Sequence, residues 1–170
     1  MTVTAARPRT GVLTGVLTAA LVCTGLMAGI FFAFTVSVMP GLANTDDRTF
    51  VTAMRQINAA IENGLFGLVF VGALALPALA AVLLARSGRR AAAWWAGAAA
   101  VLYLLVLILT MAVEVPLNDQ LAQAGTDFAR ARHDFEGTWV PVNNLRTVLN
   151  TLALACLGPA LARRTGGVSG

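Results

Sequence analysis

The chain has 170 residues, of which 58% are hydrophobic and only 12% charged, with a mean hydropathy of +0.76. An ordinary soluble domain is about 45–50% apolar and about 25% charged, so a soluble enzyme, a disordered chain and a disulfide scaffold are all excluded. The net charge of +4 comes from twelve basic residues, all arginine, against eight acidic ones. Charges so sparse in a leucine- and alanine-rich chain point to a bilayer rather than to nucleic acid.

A hydrocarbon core takes about 20 apolar residues, and four stretches qualify: residues 11–39, 65–85, 91–113 and 140–162. The first carries no charge and follows Arg7 and Arg9. Signal-peptide apolar regions run to about 7–15 residues, so this stretch reads as an uncleaved span. After it, Asp46 or Asp47 can cap a helix. Phe50, Met54, Ile57, Ile61 and Leu65 then recur at helical spacing, which predicts a second helix running from about residue 47 into its span without a break. Pro77 falls inside that span, and residues 87–90 make a short turn into the third. Trp94 and Trp95 mark the start of the third span and Trp139 that of the fourth, as interfacial aromatic belts do. Between those spans, Gly125 and Gly137 predict breaks, and residues 127–136 read as a separate short charged helix at the surface. A loose Gly/Ser tail closes the chain at residues 166–170.

These elements predict a single membrane domain over 1–170: an all-α, integral membrane, antiparallel four-helix bundle with both termini on the same side. Seven arginines flank the spans on the side of the termini and four on the other, which places both termini in the cytoplasm under the positive-inside rule. All eight acids fall on the opposite side.

Polar residues inside such a bundle are costly and mark sites. Arg55, Asn58 and Glu62 share one helix face, as do Asn143, Arg146, Thr147 and Asn150, while Glu114 and Asn118 flank Pro116. The topology brings all three sets to the outer half of the bundle, where Thr35 and Ser37 of the first span also reach. One reading is a water-accessible pocket that binds a small molecule. The other is a structural network in which Arg55 neutralises Glu62 and Arg146 neutralises Glu114. His133, the single histidine, reads as a solvated surface residue, and Cys23 and Cys156 read as core fillers. Haem needs paired histidines, so no cofactor and no metal site are expected; a carboxylate-only metal at Glu62 and Glu114 stays open as an alternative.

Four runs carry a resemblance to a known family: GIFFAFTVSVMPGL at 29–42, AMRQINAAIENGLF at 53–66, VPLNDQLA at 115–122 and FEGTWVPVNNLRT at 135–147. Together they resemble the anthrone oxygenase-like family of small four-span membrane proteins. The chain departs from the family's common pattern at Glu114 (commonly Asn), Val142 (commonly Trp) and Asn144 (commonly His). The resemblance implies oxidation of an apolar phenolic or polycyclic aromatic substrate with dioxygen as co-substrate. In that setting Glu114 is the candidate base, with Glu62 as substitute and Arg146 stabilising the developing oxyanion. Asn118, Asn143, Asn150, Asn58, Arg55 and the Trp139 ring are the candidate substrate contacts. The expected partners are the lipid bilayer and the aromatic substrate, with no nucleic acid. A non-catalytic transporter, lipid-binding unit or partner subunit is the alternative.

Overall fold

The computed structural model describes residues 7–164; the Gly/Ser tail at 166–170 lies outside them. Helix α1 (Arg7–Ala33) passes through a widened turn, Phe34–Val38, into α2 (Met39–Ala43). Then come α3 (Asp47–Ile61), α4 (Gly64–Arg86) and α5 (Arg90–Leu109). A second widened turn, Thr110–Glu114, joins α5 to α6 (Val115–Gln123), and α7 (Phe128–Ala162) completes the fold. The described residues contain no strand. Four helical stretches are long and apolar enough to cross a membrane: Gly11–Ala43, Gly64–Arg86, Arg90–Gln123 and Phe128–Ala162.

Both widened turns have the same cause. Pro40 and Pro116 lie just beyond them, and a proline ring collides with the carbonyl four residues back while offering no N–H. Adding one residue to the preceding turn relieves the conflict, so the Met39 N–H bonds to the Phe34 carbonyl and the Val115 N–H to the Thr110 carbonyl, five residues back in each case. Such π-turns cluster at functional sites. By contrast, α4 runs on through Pro77 and α7 through Pro141.

Helix α1 packs against α4 and α7, and α5 packs against the same two. The ring of four encloses stacked apolar layers. Leu13, Leu17 and Leu84 are buried together with Ala80, Ala92, Ala96 and Ala160, whose small side chains let the backbones approach. At Gly72 a Cβ atom would stand 3.1 Å from Cys23 Sγ, so α1 and α4 touch closely there. The next layer holds Met27, Phe31, Phe70, Tyr103 and Val106. Gly88, at φ +76, makes the turn between α4 and α5, a conformation that costs glycine nothing. Leu65 (72% exposed) and Trp94 (79%) face outward, as lipid-facing residues do.

A third layer caps one end of the bundle. Phe50, Val51 and Met54 of α3 bury against Leu121, Phe135 and Trp139. Two arginines clasp this cap. Arg132 donates to the Ala43 carbonyl at 3.1 Å and the Thr45 carbonyl at 2.9 Å, and it pairs with Asp47 at 3.2 Å and Glu136 at 2.7 Å. Arg55 donates to the Leu121 carbonyl at 2.8 Å and to the carbonyls of Ala124 and Gly125, satisfying acceptors that the end of α6 leaves open.

Several expectations need correction. The second helix is not continuous from residue 47: α3 stops at Ile61 and α4 begins at Gly64. Asn63 is the reason. Its side chain accepts from the Phe66 N–H at 3.0 Å and donates to the Ala60 carbonyl at 3.0 Å, so it starts one helix while closing the other. The charged segment 127–136 is not a separate surface helix but the N-cap and first turns of α7. Gly137 costs the helix only about 1 kcal/mol relative to alanine, and the packing of Phe135 and Trp139 on either side of it holds the helix together. The real break comes earlier, where Asp127 caps α7 through the Arg130 N–H at 3.2 Å. Trp139 is no interfacial belt residue, being 4% exposed.

Candidate functional site

A cavity of about 110 Å³ lies under the cap, where the two widened turns, the α3–α4 break and α7 meet. Its apolar wall is made by Ile30, Phe31 and Phe34 on the α1 side, with Ile61 and Phe66 on either side of the break. Thr110, Glu114, Val115 and Asn118 line it from the second widened turn and α6, and Trp139, Asn143 and Arg146 from α7. Asn58 and Glu62 complete it from the end of α3, with Glu62 exposed at the mouth.

Arg146 is the centre of this arrangement and is 5% exposed. Its Nη1 donates to Thr110 Oγ1 at 3.1 Å and its Nη2 to Asn143 Oδ1 at 3.0 Å. The guanidinium sits 4.6 Å from the Phe31 ring centroid and 5.8 Å from that of Trp139, so it is held by cation–π contact on two sides. Asn143 in turn donates to Thr35 Oγ1 at 3.1 Å and to the Phe31 carbonyl at 3.3 Å, and Thr35 is bonded to Thr147 at 2.9 Å. The arginine is thus fixed by α1, the second widened turn and its own helix.

Glu114 is 1% exposed, and its Oε2 faces Arg146 Nη2 at 3.1 Å. Yet neither carboxylate oxygen receives a hydrogen bond, and Arg146 Nε and Asn58 Nδ2 also lack a partner. Each such buried group costs about 1–3 kcal/mol when left unsatisfied. Here all of them stand on the walls of one cavity, beside four aromatic rings. The arrangement can receive a flat apolar molecule and offer its polar edge both a carboxylate and a guanidinium. Trp139 is oriented by its Nε1, which donates to Asn118 Oδ1 at 3.1 Å, and by stacking on Phe135 at 5.7 Å between centroids.

Seven of the nine residues singled out in the sequence line this cavity: Asn58, Glu62, Glu114, Asn118, Trp139, Asn143 and Arg146. Two do not. Arg55 points to the end of α6 instead, because those carbonyls are the nearer unsatisfied acceptors. Asn150 is fully buried with neither amide atom partnered, one turn of α7 further from the cap than Arg146 and away from the cavity lining. The Arg146–Glu114 pairing is present, whereas no Arg55–Glu62 pair occurs among the described residues. Sequence reasoning passed over Thr110, although a hydroxyl in an apolar run six residues before a proline was a signal that could have found it. The aromatic wall of Phe31, Phe34 and Phe66 has no signal of its own in the sequence, because phenylalanines in apolar runs do not stand out from packing residues. His133 is exposed, and both cysteines are free and half-buried. Among the described residues no three His, Cys, Asp or Glu side chains gather into a set able to hold a metal ion.

Fold and site together define a class: an all-helical bundle with four membrane-length helices and a buried polar cavity near one end. The sequence model of the anthrone oxygenase family matches residues 65–156, more than half of the chain. The chain belongs to the anthrone oxygenase family. The matched segment contains Phe66, Glu114, Asn118, Trp139, Asn143 and Arg146, while Phe31, Asn58 and Glu62 lie outside it. No curated protein and no solved structure matches the chain.

Proposed function

We propose that the protein is a membrane oxygenase that converts an activated aromatic methylene to a carbonyl with dioxygen, without a cofactor. The bundle is antiparallel, both termini face the cytoplasm, and the cavity opens in the outer leaflet. The observation that carries this reading is the set of buried polar atoms on Glu114, Arg146 and Asn58 that have no hydrogen bond, gathered beside aromatic rings in one cavity.

The chemistry needs a base and an oxyanion partner. The Glu114 carboxylate takes a proton from the methylene carbon, and Arg146 holds the phenolate-like oxygen to which the negative charge spreads. Asn143 and Asn118 fix the arginine and the tryptophan that bound this edge. The anion gives one electron to dioxygen, and the two radicals combine in a carbon–oxygen bond. The resulting hydroperoxide loses its remaining C–H proton as the O–O bond breaks and water departs. Methylene plus dioxygen thus gives carbonyl plus water.

The test is oxygen uptake by the purified protein with anthrone. Loss of a general base costs about 10²–10⁴-fold in rate, so Glu114→Gln should fall by that much while still binding anthrone. Equal uptake by wild type and Glu114→Gln would remove the mechanism. The direct contact of Arg146 with Glu114 favours a second reading, a non-catalytic transporter, lipid-binding unit or partner subunit in which the pair only balances charge. On that reading no phenolic substrate supports oxygen uptake.

A further inference from the structure

A second, apolar cavity of about 330 Å³ lies beside the first, between α1 and α4. The two share Ile30, Ile61 and Phe66 in their walls. Beyond that shared wall the groove is bounded by Leu26 and Leu65, which are 57% and 72% exposed on the lipid-facing surface. It reaches the α3–α4 break at Asn63, where no continuous helix closes the wall.

Size makes this juxtaposition informative. A cavity of about 150 Å³ holds one benzene ring, so the polar cavity, at about 110 Å³, takes no more than a single ring. A three-ring molecule whose reacting edge meets Glu114 and Arg146 must extend elsewhere. The capped end is closed by Trp139 stacked on Phe135, and the floor is filled by Phe70 and Tyr103, whose rings meet at 5.9 Å. The groove is the open direction, and its lining is apolar except for Asn63.

We propose that the groove between α1 and α4 is the outer half of the ligand site: the reacting ring occupies the polar cavity, the remaining rings lie in the groove, and the ligand enters sideways from the lipid. Ile30, Ile61 and Phe66 form the waist between the halves and select flat polycyclic ligands over branched ones. This rests on the cavity being a ligand site, as proposed above, and adds the entry route and the place of the remaining rings.

The experiment compares a one-ring and a three-ring probe, phenol and anthrone. Binding is read anaerobically in lipid nanodiscs as quenching of Trp139 in a Trp94→Phe/Trp95→Phe background. The Leu26→Phe/Leu65→Phe pair narrows the groove from its exposed side, away from the buried layers. Overpacking a ligand pocket in this way should weaken anthrone binding about tenfold while leaving phenol binding unchanged. Val69→Phe, deeper in the groove, should act in the same direction. An equal loss for both probes, or unchanged anthrone binding with intact phenol binding, would overturn the groove as ligand space and leave it to a lipid chain. A wild-type protein that binds neither probe overturns the cavity and the groove together. Loss of oxygen uptake with both binding patterns intact would sink the oxygenase chemistry alone.

Discussion

Arg146 and Glu114 face each other at 3.1 Å, almost wholly buried, yet the carboxylate receives no hydrogen bond from the arginine. Thr110 accepts from Nη1 and Asn143 from Nη2 instead, while Nε has no hydrogen-bond partner. The pair is therefore a charge contact held slightly out of line, which leaves both Glu114 oxygens able to accept from a ligand.

Removing one partner strands the other. Arg146→Ala should destabilise the folded protein by about 3–5 kcal/mol, read as a lowered unfolding temperature in detergent. Arg146→Met combined with Glu114→Gln, which removes both charges, should recover most of that loss without restoring oxygen uptake. A double variant as unstable as Arg146→Ala alone would show that the neutral neighbours, not the charge balance, set the cost.

The Trp139–Asn118 bond is separable from the rest of the site. Asn118→Leu removes a hydrogen bond worth about 1 kcal/mol but leaves Trp139 stacked on Phe135. The expected outcome is a small loss of stability together with a blue shift of Trp139 emission, measured in the Trp94→Phe/Trp95→Phe background. An unshifted spectrum would mean the indole N–H is hydrated in place of Asn118.

How far the sequence could be read depended on what each residue was competing for. The apolar runs could only become membrane-length helices, since nothing else satisfies their backbone in lipid, and the polar residues of facing helices met as their depth predicted. Arg55 shares a helical face with Asn58 and Glu62, yet it left that set because the frayed end of α6 supplied carbonyl acceptors that periodicity does not reveal. Asn63 ended one helix and began another through side-chain bonds to both, and a run of helical hydrophobic spacing cannot display that. Gly137 was overruled by tertiary packing. The widened turns were legible in principle at Pro40 and Pro116, but the sequence does not say whether a proline kinks its helix, breaks it or adds a residue to the turn before.

Pro116 provides the sharpest test of that last point. Pro116→Ala restores an N–H and removes the ring's clash, so the turn at Thr110–Glu114 can return to regular α-helix. Losing one residue from that turn rotates Glu114 by about 100° relative to α6. Thermal stability should hold or rise while oxygen uptake with anthrone falls at least about tenfold, as expected when a catalytic group is misplaced. A more stable variant with full uptake would show that the widened turn is not what aims Glu114.

Asp46 gives a pH signature at the cap. Its carboxylate accepts from the Thr49 hydroxyl at 2.6 Å and the Thr49 N–H at 3.1 Å. These bonds hold its pKa below the usual value of 3.8, the hydroxyl bond contributing most. A lowered folded-state pKa means a contribution that is present at neutral pH and is lost as pH falls through the lowered value. Amide protection factors at the start of α3, corrected for the intrinsic pH dependence of exchange, should fall only under acid conditions below the ordinary aspartate range. In Asp46→Ala the protection should be low already at pH 7 and change little on acidification. Exchange that does not differ between the two proteins at neutral pH would remove the cap from this helix.

The separation of Glu114 and Arg146 along the chain bears on how the molecule is made. Synthesis at roughly 5–20 residues per second delivers α5 with its carboxylate a few seconds before the arginine of α7 leaves the ribosome. In that interval Glu114 lacks its Arg146 partner, although the third apolar helix, at a mean hydropathy of 2.5 against 1.4 for the fourth, is the better candidate for insertion. The last helix therefore does more than complete a wall: it is the least apolar of the four, and it brings the guanidinium that faces the earlier carboxylate at 3.1 Å.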